Sequence, residues 1–255
     1  FSTVWRKICS DRYLCAGRKC PHASRCYVMS LRKHVETSSV VVTNHALLLA
    51  DLQMENTTLG EYGYLVVDEA HNLMATASRN LGLELSHADL ANLFNQLSQS
   101  YRRKKTGFLH QLETAMDRSV ITDAAKDQIK LYCVNLAEQV TGLRAQALEL
   151  FQEAQERCSN ADSYGKLRIK DTADFPRLYE LLGGLVFAWK DFQKQLTALN
   201  NAFSSLNSKQ VPNYDALSET LASYRLRAAE TEMGLLSLAN PDLENHALWI
   251  ENSQR

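Results

Sequence analysis

In the stretch YLVVDEAHNL, residues 64–73, an apolar run leads directly into Asp68 and Glu69, and His71 follows. Two adjacent carboxylates at the carboxyl end of a buried strand meet the needs of nucleotide hydrolysis. The first can hold Mg²⁺ through its waters while the metal bridges phosphate oxygens, and the second can polarise the attacking water. His71, on the first turn of a following helix, can link such a site to groups that sense the nucleotide. The same residues also suit a plain strand, turn and helix start, so their meaning depends on the rest of the chain.

Four of the six cysteines fall in the first 26 residues: Cys9, Cys15, Cys20 and Cys26. The segment CAGRKCPHASRC has the form C-x4-C-x5-C. Three cysteines this close, in a chain without secretory features, suggest thiolate ligands to a metal rather than disulfides. Structural zinc usually takes paired C-x2-4-C knuckles at two separate places. A single loop of wider, uneven spacing suits an iron–sulfur cluster held by four thiolates. Zinc and unligated thiols remain as the other two readings. Cys9, six residues before Cys15, is a candidate for a fourth ligand. Cys133 and Cys158 lie on a helical stretch and at its end, where they read as packing residues.

Charge is unevenly spread. Residues 1–34 carry eight Lys and Arg against Asp11 alone, a net +7 in a chain whose formal charge is −1. Trp5, Tyr13, Tyr27 and two histidines are interleaved with them. A basic head with aromatics fits a surface that meets phosphates, and Arg18, Lys19, Arg25 and Lys33 are the candidate contacts to a nucleic-acid backbone. No apolar run approaches the roughly 18 residues that a membrane-crossing helix needs, and no secretory signal is evident.

The elements that must position these groups can be read from periodicity. A short helix is expected around 28–37. SSVVVTNHALLLADL and YGYLVVDEAHNLMATAS each read as strand, turn and helix, with strands at Val40–Val42 and at 64–67. Their unalternating apolar runs point to strands covered on both faces, as in a parallel α/β sheet. From residue 86 the texture becomes helical. Ser86 and Asp89 suggest a cap before Leu90, Leu93, Phe94, Leu97 and Tyr101. Longer helices are expected at about 121–157, 175–206 and 213–237, with a polar loop containing Gly165 between the first two. The first carries steps of four and three from Ile129 to Ala154, a seam for helix packing. NHALWIE reads as a returning strand. The expected fold class is therefore mixed and mainly α: an α/β fragment carrying a large all-helical insertion. Size allows one large domain or two smaller ones.

Taken in order, C-x4-C-x5-C, VVVTNHALLLADL, YLVVDEAHNL and a long helical region closing in ALWIE resemble the superfamily 2 iron–sulfur DNA helicases. The closest branch looks like the bacterial DinG-like helicases, relatives of the XPD family. The resemblance implies that Asp68 and Glu69 are the Walker B pair of helicase motif II, as Mg²⁺ ligand and water-activating base, with Ala70 and His71 completing a DEAH box. It implies that Cys15, Cys20 and Cys26 are three of four ligands to a 4Fe–4S cluster whose remaining cysteine usually lies well upstream in the family; Cys9 departs from that pattern and is a possible substitute.

On the same ground, residues 1–38 form a cluster domain, 39–78 part of a RecA-like motor domain, 79–240 an Arch domain, and 241–255 a return to the motor. The implied activity is ATP-dependent 5′ to 3′ translocation on single-stranded DNA and unwinding of forks. Such a protein would work as a cytoplasmic, bacterial and monomeric enzyme in DNA repair. The chain starts with Phe1 and contains no G-x-x-x-x-G-K-S/T loop. The expectation is that it is an internal segment, with the phosphate-binding loop before Phe1 and the second motor domain after Arg255, and that it hydrolyses no ATP alone. The competing readings are a related ATPase with little unwinding, and a zinc-stabilised helical DNA-binding or protein-interaction module in which D-E-A-H is coincidental.

Overall fold

The steps of four and three that begin at Ile129 put one residue per turn on the same side of a helix, and the core is built on that seam. The computed structural model describes residues 15, 17, 20, 22–53, 58–101, 104–158 and 165–252. The chain divides into two compact units, Phe1–Glu84 and Leu85–Arg255, and is mainly helical.

In the first unit, helix α1 spans Tyr27–Thr37, α2 His45–Gln53 and α3 Leu73–Leu81. Helices α2 and α3 pack together. Buried residues among those described here are few: Leu48, Leu49 and Asp51. The two runs expected as covered strands form no strand among the described residues. Val40 is 79% exposed and Val66 93%. A strand exists as such only when a neighbour accepts and donates its ladder hydrogen bonds, and no such neighbour is present among the described residues.

The second unit begins with α4, His87–Leu97. The Ser86 hydroxyl accepts the Asp89 N–H at 3.1 Å and bonds the Asp89 carboxylate at 2.6 Å, a side-chain cap of the expected kind. A hairpin follows, β1 Gln99–Tyr101 against β2 Lys104–Thr106, antiparallel, with Tyr101 opposite Lys104. Gly107 then turns the chain into α5, Phe108–Arg118. Its φ of +107° and the approach of the Leu97 carbonyl oxygen, 2.6 Å from where a Cβ would stand, both require glycine.

Helix α6, Asp123–Cys158, buries Ile129, Cys133, Leu136, Val140, Leu143, Ala147 and Leu150. Helix α7, Pro176–Ser204, starts on a proline whose missing N–H has no partner to lose, and buries Leu178 through Phe203 on one stripe. Helix α8, Tyr214–Ala239, closes the bundle. Trp189 is fully buried, and its indole N–H donates to the Ala228 carbonyl at 2.9 Å, tying α7 to α8. Arg144 of α6 donates to Asn95 at 2.8 Å and to the Ser98 carbonyl at 3.3 Å, fixing the end of α4.

Where a polar loop was expected after Gly165, Lys166–Ile169 forms strand β3, which pairs antiparallel with β4, Leu248–Glu251. A strand is thus present within NHALWIE, and its partner lies within the helical unit. No described helix is long and apolar enough to cross a membrane.

Candidate functional site

Helix α2 organises the acidic turn. It starts after Asn44, whose side-chain oxygen accepts the Leu47 N–H at 2.8 Å. Its last turn buries Asp51, and one carboxylate oxygen there accepts the N–H groups of Thr58 at 2.6 Å and Leu59 at 3.0 Å. That carboxylate sets the direction of the chain as it runs toward residue 68. At the other end of α2, the His45 ring Nε2 lies 2.9 Å from the Asp68 carbonyl oxygen. A carbonyl only accepts, so Nε2 donates. The histidine thereby pins the backbone at the point where the apolar run ends.

Glu69 occupies the left-handed region, φ 48° and ψ 43°. A non-glycine residue held there costs on the order of 1–2 kcal/mol. The bend turns the chain into the short 3-10 turn Ala70–Asn72, with the Asn72 N–H on the Glu69 carbonyl at 2.9 Å. Asp68 stabilises the bend by accepting the Glu69 N–H on its own carboxylate at 2.9 Å. The Glu69 carboxylate meets the His71 Nδ1 at 3.3 Å. The structure therefore brings Asp68, Glu69 and His71 into one tight turn, all three exposed. An exposed carboxylate pair of this kind has the oxygen-donor chemistry that a hard cation such as magnesium takes.

The cysteine segment is less closed. Gly17 has φ +53°, and the Cys20 N–H reaches its carbonyl at 3.2 Å. Cys20 and Cys26 then flank the 3-10 turn Ala23–Arg25, with the Ala23 N–H on Cys20 and the Cys26 N–H on Ala23. Cys15 is exposed, while Cys20 and Cys26 are partly buried, and all three are free thiols. Among the described residues no group of three or more His, Cys, Asp or Glu is placed to hold a metal ion. The ligand set expected from the spacing is not gathered here, and no chemistry is derived through a cluster. Arg25, in the 3-10 turn, and Lys33, on α1, are exposed as a phosphate contact requires. Cys9, Arg18 and Lys19 lie outside the described residues.

Two features escaped the sequence reading. His45 is one, because its contact with Asp68 spans 23 residues and no local pattern announces it. The other is Lys105, exposed on the β1–β2 hairpin in a run of four consecutive cations, 102–105. The run was visible in the sequence, but the place of Lys105 on a strand was not.

Over 184 residues, 68% of the chain, the sequence is 30% identical to the ATP-dependent DNA helicase YoaA of Escherichia coli (strain K12). This chain is a relative of the DinG-like helicases. It is also 34% identical over 126 residues to the ATP-dependent helicase DinG of Mycobacterium tuberculosis (strain H37Rv), covering 49% of the chain. With the ATP-dependent DNA helicase DinG of Salmonella choleraesuis it shares 26% identity over 170 residues, 64% of the chain. The chain spans 28%, 19% and 22% of the lengths of these three DinG-like proteins. No family model matches the chain, and no solved structure matches it significantly.

Proposed function

We propose that the chain is a segment of a longer ATP-dependent DNA helicase and contributes motif II of its first RecA-like motor domain, a cysteine-rich DNA-facing loop and an Arch-like helical domain. The observation that carries this reading is the turn at residues 68–71: two adjacent carboxylates after an apolar run, with the backbone held by His45, in a chain related to named helicases.

In this reading Asp68 would hold Mg²⁺ and Glu69 would take the proton of the attacking water. The bound metal would neutralise charge on the transferred phosphoryl group. His45 keeps the Asp68 backbone in place. The His71 ring, on the Glu69 carboxylate, orients that base and ties its position to the first turn of the helix beyond. Arg18, Lys19, Arg25 and Lys33 contact the DNA backbone, so affinity falls steeply with salt. Cys15, Cys20 and Cys26 are three ligands of a 4Fe–4S cluster, with Cys9 or an upstream thiol as the fourth; metal ligation and ordering of such a loop are one coupled event. The whole enzyme is a cytoplasmic monomer that translocates 5′ to 3′ on single strands and opens forks during repair.

The deciding experiment uses the longer protein with Asp68→Asn and Glu69→Gln. DNA-stimulated ATP hydrolysis is expected to fall by about 100- to 10,000-fold for the base, with DNA affinity unchanged. Hydrolysis at the unsubstituted rate in both variants would refute the motor assignment. Iron and acid-labile sulfide in near-equal amounts, lost in Cys20→Ser, are expected on anaerobic purification, whereas stoichiometric zinc without sulfide would identify a zinc-stabilised binding module instead.

A further inference from the structure

Strands β3 and β4 form a ribbon with two unlike faces. The register sets Leu167 against Ile250 and Ile169 against Leu248 on one face, and Lys166 against Glu251 and Arg168 against Trp249 on the other. The first face turns inward: Ile169 is buried, and Leu248 and Ile250 pack on the helical core. The second face is open. Lys166 and Arg168 are exposed on it, Lys170 continues the same alternation just beyond β3, and Trp249 is 40% exposed. The Lys166 ammonium stands 5.3 Å from the centroid of the Trp249 ring and 3.2 Å from Glu251.

Nothing in the fold calls for this composition. The inward face already anchors the ribbon, so a polar residue opposite Arg168 would serve the ladder equally and would leave no indole surface in water. Nor is the face a sample of a generally basic surface. Residues 85–255 hold 19 Lys and Arg against 21 Asp and Glu. Here Lys166 and Arg168 alternate along β3 and Lys170 follows it, against the single carboxylate of Glu251 on β4. An exposed aromatic ring with cations along the neighbouring strand is what a single-stranded polynucleotide meets favourably, since any base can stack on the ring while the backbone phosphates take the cations.

We propose that the open face of the β3–β4 ribbon is a binding site for single-stranded DNA, with Trp249 as the stacking plate and Lys166, Arg168 and Lys170 as phosphate contacts. The choice of DNA rests on the helicase reading; the stacking site itself rests on the ribbon. Glu251 holds the Lys166 ammonium beside the ring and leaves Arg168 and Lys170 to set the salt dependence.

The test is the anisotropy of fluorescently labelled (dT)15 titrated with the intact chain at low salt. Trp249→Ala is expected to weaken binding about tenfold, and Trp249→Phe, which keeps a ring for stacking, to recover most of that loss. Arg168→Glu and Lys170→Glu are expected to weaken binding and flatten its salt dependence. Lys170 lies outside the ladder, so its variant reads binding even if Trp249→Ala fails to fold, which thermal melts would reveal. Binding unchanged in Trp249→Ala and Lys170→Glu, or no binding of (dT)15 by the unsubstituted chain, would overturn the proposal. The helicase reading stands or falls separately, on ATP hydrolysis by Asp68→Asn and Glu69→Gln in the longer protein.

Discussion

Cys133 sits fully enclosed on α6, and its thiol is pushed up from 9.0 to about 12, chiefly by burial and further by the charge of Glu113. The proton is thus held more tightly in the folded chain than in the unfolded one. The resulting stabilisation is complete below the unfolded value and is lost as pH rises through the window from about 9 to about 12, by about 1.4 kcal/mol per pH unit. Urea unfolding at about pH 8 and about pH 10 is expected to show this loss, and Cys133→Ala to flatten it by that amount. The same enclosure predicts selectivity. Native alkylation followed by mass analysis is expected to label Cys15 and leave Cys133 untouched until the chain unfolds. At this scale the sequence was most informative where chemistry is local. The carboxylates of Asp68 and Glu69 and the imidazole of His71 are adjacent in the chain, and the turn brings them together as expected. What stayed hidden was long-range: the His45 ring on the Asp68 carbonyl, and the buried Asp51 that receives the chain at Thr58 and Leu59. The alternation of Lys166, Arg168 and Lys170 was in plain view but gained meaning only when the register put Trp249 opposite Arg168.

Helices were legible because their packing stripes are long. The stretch expected at 121–157 is Asp123–Cys158, that at 175–206 is Pro176–Ser204, and that at 213–237 is Tyr214–Ala239. The three- and four-residue strands β1, β2 and β3 were not, because they are too brief for periodicity to stand above composition. The indole of Trp189 joins two of the long helices, so its loss is expected to be felt in both. Trp189→Phe removes the second donor to the Ala228 carbonyl, which keeps its own helix-ladder bond, and opens a gap; a destabilisation of about 0.5–1.5 kcal/mol is expected from the hydrogen bond alone. Denaturant midpoints read by circular dichroism would check it. Gly107→Ala is expected to cost at least a comparable amount, because both the positive φ and the Leu97 carbonyl oppose a Cβ. A stability equal to that of the unsubstituted chain would mean that the hairpin-to-α5 turn can relax.

On the scale of the whole molecule the two units differ in how much apolar surface they cover. The second carries a continuous core from Leu90 to Leu235. In the first, the runs at 40–42 and 64–66 leave Val40, Val42, Tyr64 and Val66 at 79%, 93%, 97% and 93% exposure. Isolated exposed apolar residues are ordinary, but two unalternating apolar runs have the composition of strands meant to be covered on both faces. Amide hydrogen exchange separates the possibilities. In this chain the amides at 40–43 and 64–67 are expected to exchange at rates close to those of an open chain, since no ladder protects them among the described residues, while those of α6 and α7 exchange only through global unfolding. In a longer protein of the proposed kind, neighbouring parallel strands would bond the same amides, and their exchange is expected to slow by orders of magnitude with α6 and α7 unchanged. Protection already present in the chain itself would mean that these runs pair without further strands. Fast exchange persisting in the longer protein would remove the parallel sheet on which the placement of Asp68 and Glu69 as a motor site depends.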